Sequence, residues 1–320
     1  MKAAEQPARK PSFQGISRAY EKMSAILPQT PMKRCEIAGH TIWCKAESLQ
    51  PIGAFKVRGA WHRLTDMTSL ERKAGVVAFS SGNHAQGVAW AAARLGMAAT
   101  IIIPRDAPKL KIDATRALGA EIIHYDRMTE DRATLAAHIA AERGAVLVPS
   151  YDDPWIIEGQ GSAGLEALDQ LDQEPDLVIT PCGGGGLASG LALALPNARI
   201  MVAEPEGWDD MARSLDAGHI VPVGPAPPPT ACDALMTLRV SELTFDVLRQ
   251  RRAFGVAVSE AETIRAMQYA HKVFGLTLEP GGSVGLAALL SGRIKPDRRT
   301  LVILSGGNID PAQFATMTGS

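Results

Sequence analysis

The sequence carries no H-E-x-x-H, no C-x-x-C and no G-K-[ST], and it is poor in aromatics and in net charge. Each absence excludes something. Seven histidines without ligand spacing argue against a zinc enzyme. Four scattered cysteines, Cys35, Cys44, Cys182 and Cys232, fit reduced thiols and a cytoplasmic setting rather than a disulfide framework. The 33 basic and 34 acidic residues leave a net charge of −1, so nothing electrostatic favours nucleic acid or an anionic membrane as partner. Aromatics make up 5%, which leaves few platforms for base stacking. No window approaches a membrane-spanning length. The N-terminal MKAAEQPARKPSFQ is polar and lacks the apolar centre of a signal peptide.

What is present is apolar material. It makes up 46% of 320 residues, enough for a large core and about two domains without a metal or disulfide staple. From about residue 74 the pattern alternates. Strand-like runs (GVVAFS, ATIIIP, EIIHY, VLVPS) are separated by helical stretches (NHAQGVAWAAARLGM, PKLKIDATRALGA, TEDRATLAAHIAAERGA). Gly96 and Gly144 read as helix stops and Thr129 as a cap. A second series starts near Glu158 with the helix EGQGSAGLEALDQL and the strand DLVITPC. The glycine-entered helix GGGGLASGLALAL and the strand ARIMVAEP continue it. Four prolines between Pro225 and Pro229 then rule out regular structure. The helix SEAETIRAMQYAHKVFG opens on a capping box at Ser259 and Glu262, and EPGGSVGLAALLSG and the strand RTLVILSGGNID follow. This predicts an α/β protein of two lobes, each with a mainly parallel sheet flanked by helices. Residues 71–150 read as a small inserted α/β domain, and 1–70 with 151–320 as the large one.

Chemistry concentrates at strand-to-helix junctions. In DLVITPCGGGGLASG, Gly183, Gly184, Gly185 and Gly186 allow consecutive N–H groups to face an anion, and the helix start adds partial positive charge. This is a phosphate cradle, or else a tight packing turn. It carries no nucleotide fingerprint, because G-x-G-x-x-G fails at Ala188 and Ser189. In FSSGNHAQG, Ser80, Ser81 and Asn83 precede another helix start, suited to a carboxylate or to ordinary N-capping. In LSGGNID, Ser305 stands at the carboxyl end of a strand, where ligands gather in open α/β sheets. In SLQPIGAFKVRGA one amine, Lys56, follows a Gly-Ala-Phe turn. It is either a surface lysine or one held inside for chemistry.

GAFKVRGA, SSGNHAQG, CGGGGLASG, EPGGSVGLAAL and LSGGNID occur in this order over nearly the whole chain. In this set the sequence resembles the pyridoxal-phosphate enzymes of the tryptophan-synthase-β fold group, fold type II. Within them it is most similar to the serine/threonine dehydratase and serine racemase family. The resemblance implies that Lys56 binds the aldehyde of pyridoxal 5'-phosphate, with Phe55 beside the ring. Gly183 to Gly186 and the Leu187 N–H match the phosphate cup, Asn83 the partner of the ring hydroxyl, and Ser305 the partner of the ring nitrogen. A neutral serine at the nitrogen makes a weaker electron sink, which suits β-elimination. Ser80, Ser81, Asn83 and His84 match the substrate-binding stretch. In racemase-like members a serine at the position of Ser81 is the acid/base opposite the lysine, although a capping serine would look the same. On a looser alignment Arg132 and Thr237 fall near the substrate side chain, where Arg132 would favour a dicarboxylate such as 3-hydroxyaspartate and otherwise is a surface residue.

AEPEGWDD resembles the family's cation loop, with carboxylates from Glu204 and Asp210 and the Trp208 carbonyl. Oxygen ligands suit Mg²⁺, Ca²⁺ or Mn²⁺, while a solvated acidic turn is the alternative. Asp233 matches a loop aspartate, with Ala234 where the family often has glycine. The implied activity is a cytoplasmic, homodimeric ammonia-lyase (EC 4.3.1 type) acting on a β-hydroxy amino acid. A racemase and a non-catalytic amino-acid-binding relative are the alternatives.

Overall fold

The structure, a computed structural model, describes residues 9–319 apart from 81, 108 and 127. The strands are β1 (Met32–Ile37), β2 (His40–Lys45), β3 (Val76–Phe79), β4 (Ala99–Pro104), β5 (Glu121–Tyr125), β6 (Val146–Leu147), β7 (Leu177–Pro181), β8 (Arg199–Pro205), β9 (Phe254–Val258) and β10 (Thr300–Ile303). The helices begin with α1 (Phe13–Ser24), α2 (Lys56–Thr65), α3 (Ser69–Ala74), α4 (Asn83–Leu95), α5 (Lys109–Ala117), α6 (Arg132–Arg143) and α7 (Pro154–Leu171). They continue with α8 (Gly186–Ala194), α9 (Asp210–Ala217), α10 (Glu242–Gln250), α11 (Glu260–Phe274), α12 (Pro280–Leu290) and α13 (Pro311–Thr318). Among the described residues no helix is long and apolar enough to cross a membrane.

Two sheets result. One has six strands in the order β1-β2-β10-β7-β8-β9, and the other has four in the order β5-β4-β3-β6. All pairings between these strands are parallel except β1 with β2, a hairpin closed at Ala38-Gly39 with both residues at positive φ. That hairpin lies before the region where the sequence alternates. Parallel strands are covered on both faces, which is why β4 is an apolar run with all six residues buried. In the larger sheet, period-two alternation sends Ile179, Met201 and Val302 towards residues of α11 and α12. Val178, Val202 and Ile303 point the other way, towards residues of α8 and α10.

Several boundaries differ from the sequence reading. The cap of α6 is Asp131, whose carboxylate accepts from the Thr134 N–H, not Thr129. Helix α7 starts at Pro154, ahead of the predicted Glu158, because Asp153 caps it and proline suits its first turn. Helix α4 has Gly82 as its N-cap without a side-chain bond, and Ser80 Oγ instead accepts from the Gly82 N–H at 3.2 Å. The capping box at Ser259 and Glu262 and the stops at Gly96 and Gly144 are present.

Strand order reverses at β10/β7 in the larger sheet and at β3/β6 in the smaller one. Loops leaving the two strands of a switch point diverge and open a crevice at their carboxyl ends. Here the loops after β3, β6, β7 and β10 all contribute to one cavity.

Candidate active site

The cavity measures about 570 Å³. Lys56 opens α2, follows the turn at Gly53–Phe55, and is half-buried. Its Nζ donates to the Ser150 main-chain oxygen at 2.7 Å and sits 5.2 Å from the Phe55 ring centroid. Burial lowers the pKa of this ammonium to about 8, so neutral amine is accessible near neutral pH. The loop is stitched to the end of β10. The Phe55 N–H donates to the Ser305 oxygen at 3.1 Å, and Asn308 Nδ2 donates to the Ile52 oxygen at 2.7 Å. Lys56 and Ser305 are therefore held in one frame, and both line the cavity.

Gly183 to Gly186 and Leu187 line the same cavity. Helix α8 begins at Gly186 with no acidic residue in its first turn, which leaves its N-terminus free to favour an anion. A Cβ at Gly184 would lie 2.2 Å from the Tyr151 ring, so this turn has no room for a side chain. Thr244 Oγ1 fixes the turn from behind by donating to the Gly184 oxygen at 2.8 Å.

Asn83 opens α4 and is locked at both ends. Its Nδ2 donates to Glu279 Oε1 at 2.6 Å, and its Oδ1 accepts from Asn308 Nδ2 at 2.7 Å. One amide N–H remains for the cavity. Burial, and then Asp233, raises the Glu279 carboxyl to about 7. His84 is held near the Val148 oxygen at 2.9 Å, and burial followed by Lys56 lowers its pKa to about 3. The neutral ring spends its Nε2–H on Val148, which leaves Nδ1 as an acceptor without a partner. Ser80, Arg132 and Thr237 also line the cavity, and the Arg132 guanidinium lies 5.7 Å from the Phe79 ring centroid. Ser81 lies outside the described residues.

Sequence reasoning missed Glu279, Ser150, Tyr151 and the ion pair of Lys111 with Asp233, all on this cavity. Glu279 carried a signal, an acid directly before the Pro-Gly-Gly of a quoted motif. Lys111 carried none, since on α5 it reads as an ordinary polar face.

Glu204, Trp208 and Asp210 do not line the cavity. Glu204 is fully buried and accepts from the Met211 and Ala212 N–H groups at 3.1 and 2.8 Å, at the start of α9. Asp210 Oδ2 accepts from the Val240 N–H at 2.9 Å, while Oδ1 is buried with no partner. Burial raises both carboxyls, Asp210 to about 6, and Asp210 pushes Glu204 up further. Two buried acids and an orphaned oxygen are the donor set that a hard cation takes. Among the described residues no group of three or more His, Cys, Asp or Glu could hold a metal, so main-chain oxygen or water would complete this set.

The cavity offers an anion cradle, a neutralisable amine, an amide N–H and a hydroxyl, and these residues fit pyridoxal phosphate. The model of the "Pyridoxal-phosphate dependent enzyme" family matches residues 24–306. The L-threo-3-hydroxyaspartate ammonia-lyase of a Pseudomonas species is 38% identical, over 96% of this chain and 98% of the relative. The Saccharomyces cerevisiae protein of the same name is 37% identical, over 96% of each. The structure of maize serine racemase superposes with a TM-score of 0.90 at 34% identity, covering 96% of this chain and 97% of that one. With a matching two-sheet fold and matching motifs, the chain belongs to the pyridoxal-phosphate-dependent enzymes of fold type II, in the serine/threonine dehydratase and serine racemase family.

Proposed function

We propose that the chain is an ammonia-lyase that converts a β-hydroxy amino acid of the 3-hydroxyaspartate type to a 2-oxo acid. The observation that carries the reading is that one cavity brings together a neutralisable amine (Lys56), a glycine anion cradle and a guanidinium (Arg132). Gly183 to Gly186 and the Leu187 N–H would hold the cofactor phosphate, Asn83 would donate to the ring hydroxyl, Ser305 would meet the ring nitrogen, and Phe55 would pack beside the ring. When bound, the cofactor would supply an aldehyde reactive towards amines and a conjugated ring able to draw charge from Cα. Lys56 removes the Cα proton as general base, a role that its burial favours. The β-hydroxyl leaves as water, and hydrolysis of the released product gives a 2-oxo acid and ammonia.

The α-carboxylate meets Ser80, Ser81 and Asn83. His84 contributes through its main-chain N–H, free in the first turn of α4, because its ring offers only an acceptor. Arg132 pairs with the second carboxylate of the substrate, and Thr237 borders it. Glu204, Asp210 and the Trp208 carbonyl hold Mg²⁺, Ca²⁺ or Mn²⁺. The large domain comprises 1–70 and 151–320 and the small one 71–150, in a cytoplasmic homodimer whose partner is the small-molecule substrate.

Racemisation is the second reading. It is favoured by Ser81, which would return a proton on the face opposite Lys56, and by the similarity to maize serine racemase. The test is a product screen over serine, threonine and 3-hydroxyaspartate stereoisomers that scores 2-oxo acid and the enantiomer of residual substrate. Lys56→Ala should lose turnover and the absorption band of the bound cofactor while keeping its circular dichroism; full activity in that variant ends the proposal. Ser81→Ala should keep elimination within about tenfold, or about 1.4 kcal/mol of barrier, and abolish any racemisation.

A further inference from the structure

The proline run belongs to a segment, residues 219–240, that joins the turn at Gly207 to the cavity wall. Its first limb lies against the cation loop and α9. Trp208 Nε1 donates to the Pro228 oxygen at 2.8 Å, the Val221 N–H donates to Ser214 Oγ at 2.9 Å, and Arg213 Nη1 reaches the Pro222 oxygen at 3.4 Å. A Cβ at Gly207 would come within 2.4 Å of Pro228 Cδ, so the proline ring sits directly on the Glu206-Gly207-Trp208 turn. The second limb, Asp233 to Arg239, is a continuous run of cavity-lining residues. The Val223 N–H joins the limbs by donating to the Leu238 oxygen at 2.9 Å, and Val240 returns the strap to Asp210. Consecutive prolines fix φ and make this connection stiff, so a displacement at one limb reaches the other.

We propose that this strap is a clasp, and that Trp208, through the Pro228 carbonyl, is a positioning residue for the cavity wall Asp233–Arg239. The inference rests on reading the cavity as the substrate site. Trp208 is 5% exposed, and its one side-chain N–H goes to that carbonyl. Without this bond the first limb loses its midpoint anchor. The second limb keeps the Asp210 contact, the bond from Tyr151 Oη to the Arg239 oxygen, the Arg239–Glu242 pair, the pair of Asp233 with Lys111, and the bonds of Thr230 and Ala231 to Glu260. Thr237 and Leu238, between those fixed points, gain the freedom, and they border the substrate side chain rather than the cofactor.

Trp208→Phe keeps an aromatic ring and the main-chain carbonyl and removes the five-membered ring that carries the N–H. In the holoenzyme KM for the best substrate of the product screen should rise roughly fivefold, the worth of one hydrogen bond, with a smaller fall in kcat. The absorption of the bound cofactor should not shift. Amide exchange at Val223 should quicken by a similar factor, while amides of β7 and β8 keep wild-type rates. Pro228→Gly, which loosens the chain but keeps the carbonyl, should quicken the same amide. Unchanged exchange at Val223 in both variants overturns the clasp, as does loosened exchange with an unchanged KM, or a loss in kcat as large as the rise in KM. If wild type turns over no β-hydroxy amino acid, the functional reading falls, while the exchange at Val223 still decides whether the clasp exists.

Discussion

Glu47 and Glu166 beside α2, and Glu204 and Asp210 at the start of α9, are four carboxylates at no more than 5% exposure, yet their surroundings are opposite. The first pair has its counter-charges inside the protein. Arg58 grips Glu47 with two bonds of 2.7 and 2.8 Å and Glu166 with a third of 2.8 Å, and Lys45 reaches Glu166 at 2.6 Å. Ser162, Thr30 and Gln170 take up remaining donors and acceptors. The second pair has main-chain N–H partners, the Arg213 charge acts on Asp210 without a bond to it, and one oxygen is orphaned. A buried carboxylate must be neutralised by a cation or a proton. Where the chain supplies the cation, the cluster is a structural clamp. Where it does not, a proton or a bound cation is left to do so.

The clamp also bears on the chemistry. Arg58 is two residues beyond Lys56, about 200° around α2, so the helix turns its amine to the cavity and its guanidinium to the clamp. Arg58→Met should be the most damaging way to break the comparison. It strands two buried acids, and about 3–5 kcal/mol of stability should be lost, read as a lower urea midpoint. Arg58→Lys keeps the charge but not the two-pronged grip, and should fall between. If Arg58→Met unfolds at the wild-type midpoint, the clamp holds nothing.

At the second cluster the comparison can be sharpened from outside. Saturating Mg²⁺ should raise the melting temperature of wild type over the chelated protein. At a free cation concentration about a hundredfold above Kd the gain is roughly 2.7 kcal/mol. Glu204→Gln should respond to neither cation nor chelator. A wild type indifferent to prolonged chelation would return AEPEGWDD to an acidic turn.

The two clusters also differ in how far the sequence exposes them. Glycines before a helix, a lysine after Gly-Ala-Phe and a serine at a strand end are local signals, so Lys56, Gly183–Gly186 and Ser305 could be singled out before the fold was known. The alternating region made two parallel sheets legible for the same reason. Glu166 inside EGQGSAGLEALDQL and Arg58 inside FKVRGAW look like ordinary solvated charges, because their partners are up to 121 residues away in sequence and only the packing of α2 against α7 buries them together. The same distance hides Glu279 and the pair of Lys111 with Asp233. Glu204 and Asp210 were accessible through family resemblance, not through any local rule.

Acid should separate the clusters by sign, though the effect is the smallest of the three. Burial favours the neutral form of Glu47, but Arg58 and then Lys45 hold its pKa below the ordinary 4.5. A depressed carboxyl contributes stability above its unfolded value and loses it as pH falls through the folded one, so the clamp should be unaffected between pH 7 and 5 and weaken below 4.5. Asp210 is raised by burial from 3.8 to about 6. Between those values the folded protein binds a proton that the unfolded chain does not, so stability falls as pH rises through the window and returns on acidification. From pH 7 to 5 the chelated protein should gain on the order of 1 kcal/mol from Asp210, and Glu204, raised in the same direction, adds to it. With Mg²⁺ bound the gain should vanish, because the ion and not a proton then neutralises the pair, and Asp210→Asn should be nearly flat with or without it. The measurement is the urea midpoint at pH 5, 6 and 7 with and without chelator. A chelated wild type that loses stability over that range would mean that a charge within the chain already compensates Asp210, and the second cluster would then be a clamp like the first.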